Sequence, residues 1–105
     1  MTDTVMARFS LVLKKEDMAR IHVKNEAEIF VDLHGLRTDE AIKFLNNIIN
    51  LNKEECIIRV IHGFNHGTAL RDMINNRFCN PRIRNRQVVK SNPGMTILRC
   101  ASACR

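Results

Sequence analysis

Long apolar runs, closely spaced cysteines and aromatic side chains are all scarce in this sequence of 105 residues. No apolar run approaches the roughly 18 residues that a membrane span needs. Charged residues follow the apolar segment Leu11–Leu13 too early for the hydrophobic region of a signal peptide. We therefore predict a cytoplasmic protein without membrane association, whose length suits one domain with a modest hydrophobic core.

The four cysteines, Cys56, Cys79, Cys100 and Cys104, include no C-x-x-C pair. Because the chain shows no export signal, we expect reduced thiols, with Cys56 packed in the core. Zinc binding through Cys100 and Cys104 is the alternative, but their spacing is loose and no second pair supports it. The cysteines therefore predict no cofactor.

Aromatic residues are limited to five phenylalanines, few of which lie among the arginines of the C-terminal half. Many proteins that bind single-stranded nucleic acid stack bases on aromatic side chains. The sequence gives little support for that mode of binding.

Acidic residues are absent after Asp72, and the charge is unevenly distributed. Residues 1–55 contain 8 basic and 10 acidic side chains, whereas residues 56–105 contain 9 basic and 1 acidic. This asymmetry indicates that the C-terminal half faces a polyanion such as nucleic acid. The alternative is a solvated basic surface that only aids solubility.

The hydrophobic pattern predicts the order β-α-β-α-β-β. Strands are predicted at residues 29–34, 56–62, 82–90 and 95–100, with helices between the first three, beginning at Thr38 and at about Thr68. A helix joins the first two strands, so they should be parallel, and the turn at residues 92–94 makes the last two antiparallel.

These elements predict a two-layer α/β sandwich of the α+β type, with a mixed four-stranded sheet and two helices on one face. Residues 28–105 would form this domain, and residues 1–27 an N-terminal extension that is partly ordered or flexible. Within that extension, residues 8–14 alternate weakly, which favours a short strand or a loosely held arm.

Chemically versatile side chains follow the first two strands. Asp32 and His34 lie at the carboxyl end of the first strand and His62 at that of the second, with His66 shortly after it. Because the carboxyl ends of parallel strands share one edge, these four residues should meet in one crevice as candidate catalytic groups. The alternatives are structural: Asp32 would bond to backbone or pair with Arg59, and the histidines would pack.

The loop after the second strand has the composition of a phosphate-binding loop. Gly63 and Gly67 allow close backbone approach, with Asn65 between them as a further candidate, and the loop leads into a helix N-terminus, where free N–H groups favour an anion. No Gly-Lys-Ser/Thr follows, so this is not a Walker loop.

A row of arginines is the candidate surface for nucleic-acid phosphates. Arg82, Arg84 and Arg86 alternate along the third strand, which places them on one face. If that face is the open one, they would bind phosphates. The other predicted members of this surface are Arg59, Arg71 and Lys90. The alternative is that the charges protect an edge strand from aggregation.

Two short motifs resemble the Smr domain, a family named for its occurrence at the C-terminus of some MutS-type mismatch-repair proteins. Asp32–Gly35 precedes Asp39–Ala41, and Ile61–Gly63 precedes Ala69–Arg71. The similarity covers about residues 29–100. It implies a fold like that of the C-terminal domain of translation initiation factor 3 and binding of DNA or RNA. In several members it also implies a nicking endonuclease or ribonuclease activity.

The resemblance also transfers roles to individual residues. Asp32 and His34 match the family's D-L-H-G motif, and His62 and Gly63 match the first two residues of its H-G-x-G motif. Asn65 stands where the family has its second glycine, and the loop is one residue longer.

The sequence therefore predicts a monomeric nucleic-acid-binding domain, with endonuclease activity as a hypothesis. In that hypothesis His34 or His62 is the general base, and Asp32 orients it or holds a divalent ion, magnesium or manganese. The alternatives are a non-catalytic module that binds nucleic acid and one that binds protein.

Overall fold

The computed structural model describes residues 2–25, 27–63 and 69–103. The elements in chain order are α1 (Thr2–Ser10), α2 (Lys15–Met18), β1 (Ile21–Asn25), β2 (Glu28–Asp32), α3 (Thr38–Leu51), β3 (Cys56–Ile61), α4 (Ala69–Asp72), β4 (Ile83–Val88) and β5 (Met95–Cys100). A π-helical turn at Met73–Arg77 continues α4.

The strands form one mixed sheet in the order β1-β2-β3-β5-β4. Strands β2 and β3 are parallel, whereas β1 pairs antiparallel with β2, and β5 pairs antiparallel with both β3 and β4. The predicted α/β class is confirmed, as are the parallel central pair and the final hairpin. The sheet has five strands rather than four, because β1 adds an edge strand beside β2.

The first 25 residues differ from the sequence-based expectation in a second way. Residues 8–14 do not form a strand, because Thr2–Ser10 is helical. Phe9 and Leu13, four residues apart, are both buried, whereas Leu11 between them is 85% exposed. Leu13 lies in the turn after α1, where its N–H donates to the Phe9 carbonyl at 2.9 Å, so the two buried side chains do not come from strand alternation.

One face of the sheet packs against the helices. Ile29 and Val31 of β2, Ile58 and Val60 of β3 and Leu98 of β5 are all buried on this face. They meet the apolar stripe of α3, whose buried members are Ala41, Phe44, Leu45, Ile48 and Ile49. Met73, Ile74 and Phe78 close the core from the other helical segment.

We call the opposite side of the sheet the open face. Side chains alternate between the two faces of a strand, so this face carries the residues between the buried ones. Its members include His22, Phe30, Arg59, Ile61, Ile97 and Arg99. Within the described part of the chain, no helix is long and apolar enough to cross a membrane.

Candidate functional site

The ends of β2 and β3 bring the two sequence motifs together. Asp32 is the strand partner of Ile61, and the Leu33 N–H donates a hydrogen bond to the Ile61 carbonyl at 2.7 Å. A Cβ atom built on Gly63 would lie 3.9 Å from the Cβ of His34. The D-L-H-G segment and the first glycine of the following loop are therefore neighbours at one edge of the sheet.

Asp32 and His34 form a pair at this edge. Oδ1 of Asp32 accepts a hydrogen bond from the His34 backbone N–H at 3.0 Å, and Nδ1 of the imidazole lies 2.7 Å from the same oxygen. The His34 side chain is 70% exposed and that of Asp32 36%. A carboxylate at this distance favours a proton on Nδ1, which leaves Nε2 as the nitrogen that can accept a proton.

Arg20, which the sequence analysis missed, fixes the backbone around this pair. Its guanidinium donates hydrogen bonds to the carbonyl oxygens of Asp32 at 3.1 Å and His34 at 2.8 Å. The backbone of Arg20 also accepts a bond from the Asp32 N–H at 2.9 Å. A basic residue ahead of an unrecognised edge strand gave no sequence signal, because its partners are main-chain atoms.

His62 is buried, in contrast to His34. Its Nδ1 lies 3.0 Å from the Gly63 carbonyl oxygen, which can only accept a hydrogen bond, and its Nε2 lies 3.0 Å from the Thr96 hydroxyl oxygen. Burial lowers the pKa of the imidazole, the bond to the Gly63 carbonyl opposes this, and the charge of Arg71 lowers it further. Both ring nitrogens of His62 thus have neighbours within hydrogen-bonding distance, and the imidazole is placed to hold the Gly63 backbone. The role of His62 as a general base stays a prediction.

The backbone conformation at position 63 favours glycine. Its φ of +74° lies in the left-handed region, where a side chain is unfavourable. The remaining predicted members of this loop, Asn65, His66 and Gly67, lie outside the described residues.

Two of the predicted phosphate-binding arginines hold the ends of helices instead. Arg82 donates to the carbonyls of Ile49 and Asn52 at the end of α3, and to those of Glu54 and Ala101. Carbonyl groups at a helix C-terminus lack partners within the helix and carry partial negative charge, so a guanidinium satisfies both needs.

Arg86 has the same role at the next helical segment. It donates to the carbonyls of Ile74, at 2.5 Å, and of Phe78, where the π-helical turn ends. The expected row on one face is wrong for two structural reasons: Arg82 lies before β4 rather than within it, and the pairing of β4 with β5 shifts between Ile83 and Asn85, so that strict alternation fails around Arg84. Arg82 and Arg86 therefore point to the helical layer and Arg84 does not.

Arg84 is exposed and lies on the side of the open face. With Ile57, Asn85 and Arg99 it lines a cavity of about 390 Å³. Lys90, just beyond β4, is also exposed. These two residues remain available for the predicted contact with phosphates.

The other two predicted basic residues have acidic neighbours. Arg59 donates to Glu28, and this hydrogen bond lowers the pKa of the Glu28 carboxyl. The Cζ atom of Arg59 lies 5.8 Å from the centroid of the Phe30 ring. Nε of Arg71 is 3.9 Å from the carboxylate of Asp72. Arg59 therefore stabilises the open face, and Asp32 pairs with His34 rather than with Arg59.

The two buried cysteines lie on neighbouring central strands. Cys56 and Cys100 are buried opposite each other on β3 and β5, and Cys104 lies outside the described residues. The hydrogen bond between the two thiols lowers the pKa of Cys56 and, together with burial, raises that of Cys100. In the part of the chain that is described, no group of three or more His, Cys, Asp or Glu side chains could hold a metal ion.

No protein-family model matches the chain, and no curated protein matches its sequence. The resemblance to the Smr domain therefore depends on the motif residues themselves.

Proposed function

We propose that this protein is a nucleic-acid-binding domain of the Smr type, whose backbone-binding surface lies where β2 and β3 end. The observation that carries the proposal is the proximity of His34 to Gly63, which joins the two motifs at one sheet edge. Ligand crevices in sheets with parallel strands form at the carboxyl ends of those strands.

Positive charge supports a polyanionic ligand. The chain carries a formal net charge of +6, and no acidic residue follows Asp72. Arg84 and Lys90 are exposed in this acid-free segment. Lys90 follows Val88, which is aligned through Thr96 with Val60 near the end of β3, whereas Arg84 lies beside Ile57 at the start of β3. A phosphate backbone would gain affinity from these basic side chains by displacing its counterions.

Fluorescence anisotropy with labelled RNA and DNA across a salt series tests the binding proposal. Affinity should fall linearly on a logarithmic salt scale. Lys90→Met should weaken binding to all sequences alike and lower the salt slope by about one. Lys43→Met, which removes an exposed charge from α3, is the matched control and should bind as wild type does. Salt-independent binding, or equal effects of the two variants, would contradict the proposal.

Phosphodiester cleavage is a second candidate function, favoured by the contact between Asp32 and His34. The carboxylate at Nδ1 leaves Nε2 of an exposed imidazole free to take a proton from an attacking water or ribose hydroxyl. Asp32 would fix the tautomer and stabilise the imidazolium that forms, as a carboxylate does in other acid–base dyads.

The cleavage hypothesis is tested with purified protein, end-labelled RNA and nicked or supercoiled DNA, with and without magnesium or manganese. Asp32→Asn and His34→Ala should each lower the rate by about a hundredfold or more, the scale of a general base. Both variants should still bind the substrates. His62→Gln distinguishes the role of His62 from that of His34. If His62 positions the loop, this variant should weaken binding of the substrate and leave the pH profile of cleavage unchanged. If wild type cleaves no faster than His34→Ala, the protein is a binding module only.

A further inference from the structure

The open face contains a depression next to the candidate site. It has a volume of about 480 Å³ and is lined by His22, Lys24, Phe30 and Ile61. Ile61 is the strand partner of Asp32, and Phe30 precedes Asp32 by two residues on the same side of β2. Two strand residues span about 6.6 Å. The depression therefore borders the Asp32–His34 pair.

Two aromatic rings line this depression, and a guanidinium group lies beside it. The rings of Phe30 and His22 contact edge to face, with centroids 6.2 Å apart and an interplanar angle of 66°. Arg59, the strand partner of Phe30, has its Cζ 5.8 Å from the centroid of the Phe30 ring and is held there by Glu28. Nucleobases stack on aromatic rings and on guanidinium planes. The lining is thus a platform formed before any ligand binds.

The charges around the platform fit a phosphate-linked ligand. Glu28 is paired with Arg59 and contacts Lys24 at 3.8 Å, and Asp32 is in contact with His34. The open face also carries Arg99, which is exposed. Phosphates flanking a stacked base would therefore meet a surface with positive charge in excess.

We propose that this depression is a subsite for an unpaired nucleobase, so that the protein binds single-stranded nucleic acid in preference to a duplex. The inference rests on the nucleic-acid binding proposed above and specifies its substrate class. A duplex keeps the faces of its bases inside the stack, whereas a single strand presents them to a platform. A base held over Phe30 would place the adjoining phosphate beside His34.

Stacking has little support in the sequence alone because Phe30 lies outside the basic half of the chain. The fold removes that separation, since the parallel pairing of β2 with β3 sets Phe30 directly opposite Arg59. His22, on edge strand β1, is the strand partner of Phe30 on the side opposite Arg59.

The test compares three ligands of equal length: a single strand, its duplex and a single strand with abasic sites in place of bases. Anisotropy titrations should show the ordinary single strand bound most tightly. Phe30→Leu keeps an apolar side chain but removes the ring. It should weaken binding of the ordinary strand about tenfold, the scale of one lost stacking contact, and leave the abasic strand unaffected. Phe30→Tyr, which keeps the ring, should bind as wild type does.

The outcomes separate this inference from the proposed function. Equal affinity of wild type for ordinary and abasic strands would overturn the base subsite and leave backbone binding in place. Tighter binding of the duplex would do the same. Absence of binding to all three ligands would overturn both. Light scattering on the free protein covers another occupant, because a dimer that Phe30→Leu dissociates would assign the face to a second copy of the chain. These comparisons with wild type and Phe30→Tyr stand even if Phe30→Leu does not fold.

Discussion

One carboxylate oxygen of Asp32 contacts His34 twice, through its backbone N–H at 3.0 Å and through Nδ1 of its ring at 2.7 Å. The contact is local, since the two residues are separated only by Leu33, and aspartate commonly bonds to the backbone two residues later. The orientation of the imidazole is therefore set within the motif itself.

The tautomer of His34 is a direct consequence. We expect the proton of the neutral ring on Nδ1, and Asp32→Asn should remove that preference while leaving the fold intact. Long-range proton–nitrogen NMR correlations of the two ring nitrogens measure this. An Nε2-protonated ring in the wild-type protein would show that Asp32 does not orient the base.

Substitution of Arg82 should lower the stability of the protein far more than substitution of Arg84. Arg82→Met leaves the carbonyls at the end of α3 without partners, so the free energy of unfolding should fall by about 2–4 kcal/mol. Arg84→Met should leave stability within about 0.5 kcal/mol of wild type, as exposed substitutions usually do. Urea unfolding followed by circular dichroism measures both, since the chain has no tryptophan. Equal stability of the two variants would show that the helix-end bonds contribute little.

These arginines show where sequence reasoning succeeds and where it stops. The strong periodicity of α3, β2 and β3 was enough to predict their type and pairing, because burial of one face dictates the spacing of apolar residues. Alternation predicts Arg82, Arg84 and Arg86 on one face, but Arg82 lies before β4 and the strand pairing shifts around Arg84. A one-residue irregularity is decided by pairing with a distant strand.

Strand β1 and Arg20 were missed for a related reason. The strand contributes only Ile21 and Val23 to the buried side, which is too short a pattern to separate from a loop. Its stability comes from pairing with β2. The motif residues Asp32 and His34 could be located because their contact is local, whereas the burial of His62 depends on Thr96, which is 34 residues away.

Gly63 and Gly35 offer a matched pair of substitutions. Both have positive φ, +74° and +84°, so replacement by alanine should cost about 1–2 kcal/mol of folding free energy at either position. Only Gly63 adjoins the proposed phosphate-binding loop. Gly63→Ala should therefore also weaken nucleic-acid binding, whereas Gly35→Ala should change stability alone. Anisotropy titrations on both variants, below their unfolding temperatures, show whether the loop after β3 binds the nucleic-acid backbone or has only a structural role in the turn.

The pH dependence of stability should report on the burial of His62. Because burial lowers the pKa of the folded imidazole below its ordinary value of 6.5, the unfolded chain binds the proton more readily. The stabilising contribution is complete above about pH 6.5 and is lost as the pH falls through the lower pKa of the folded state. Urea unfolding of wild type should therefore weaken between neutral pH and pH 5, and His62→Gln should weaken less over that range. The two proteins share all their other ionisable groups, and staying above pH 5 limits the contribution of Glu28, whose bond to Arg59 lowers its carboxyl pKa. Parallel pH profiles for the two proteins would mean that burial does not lower the pKa of His62.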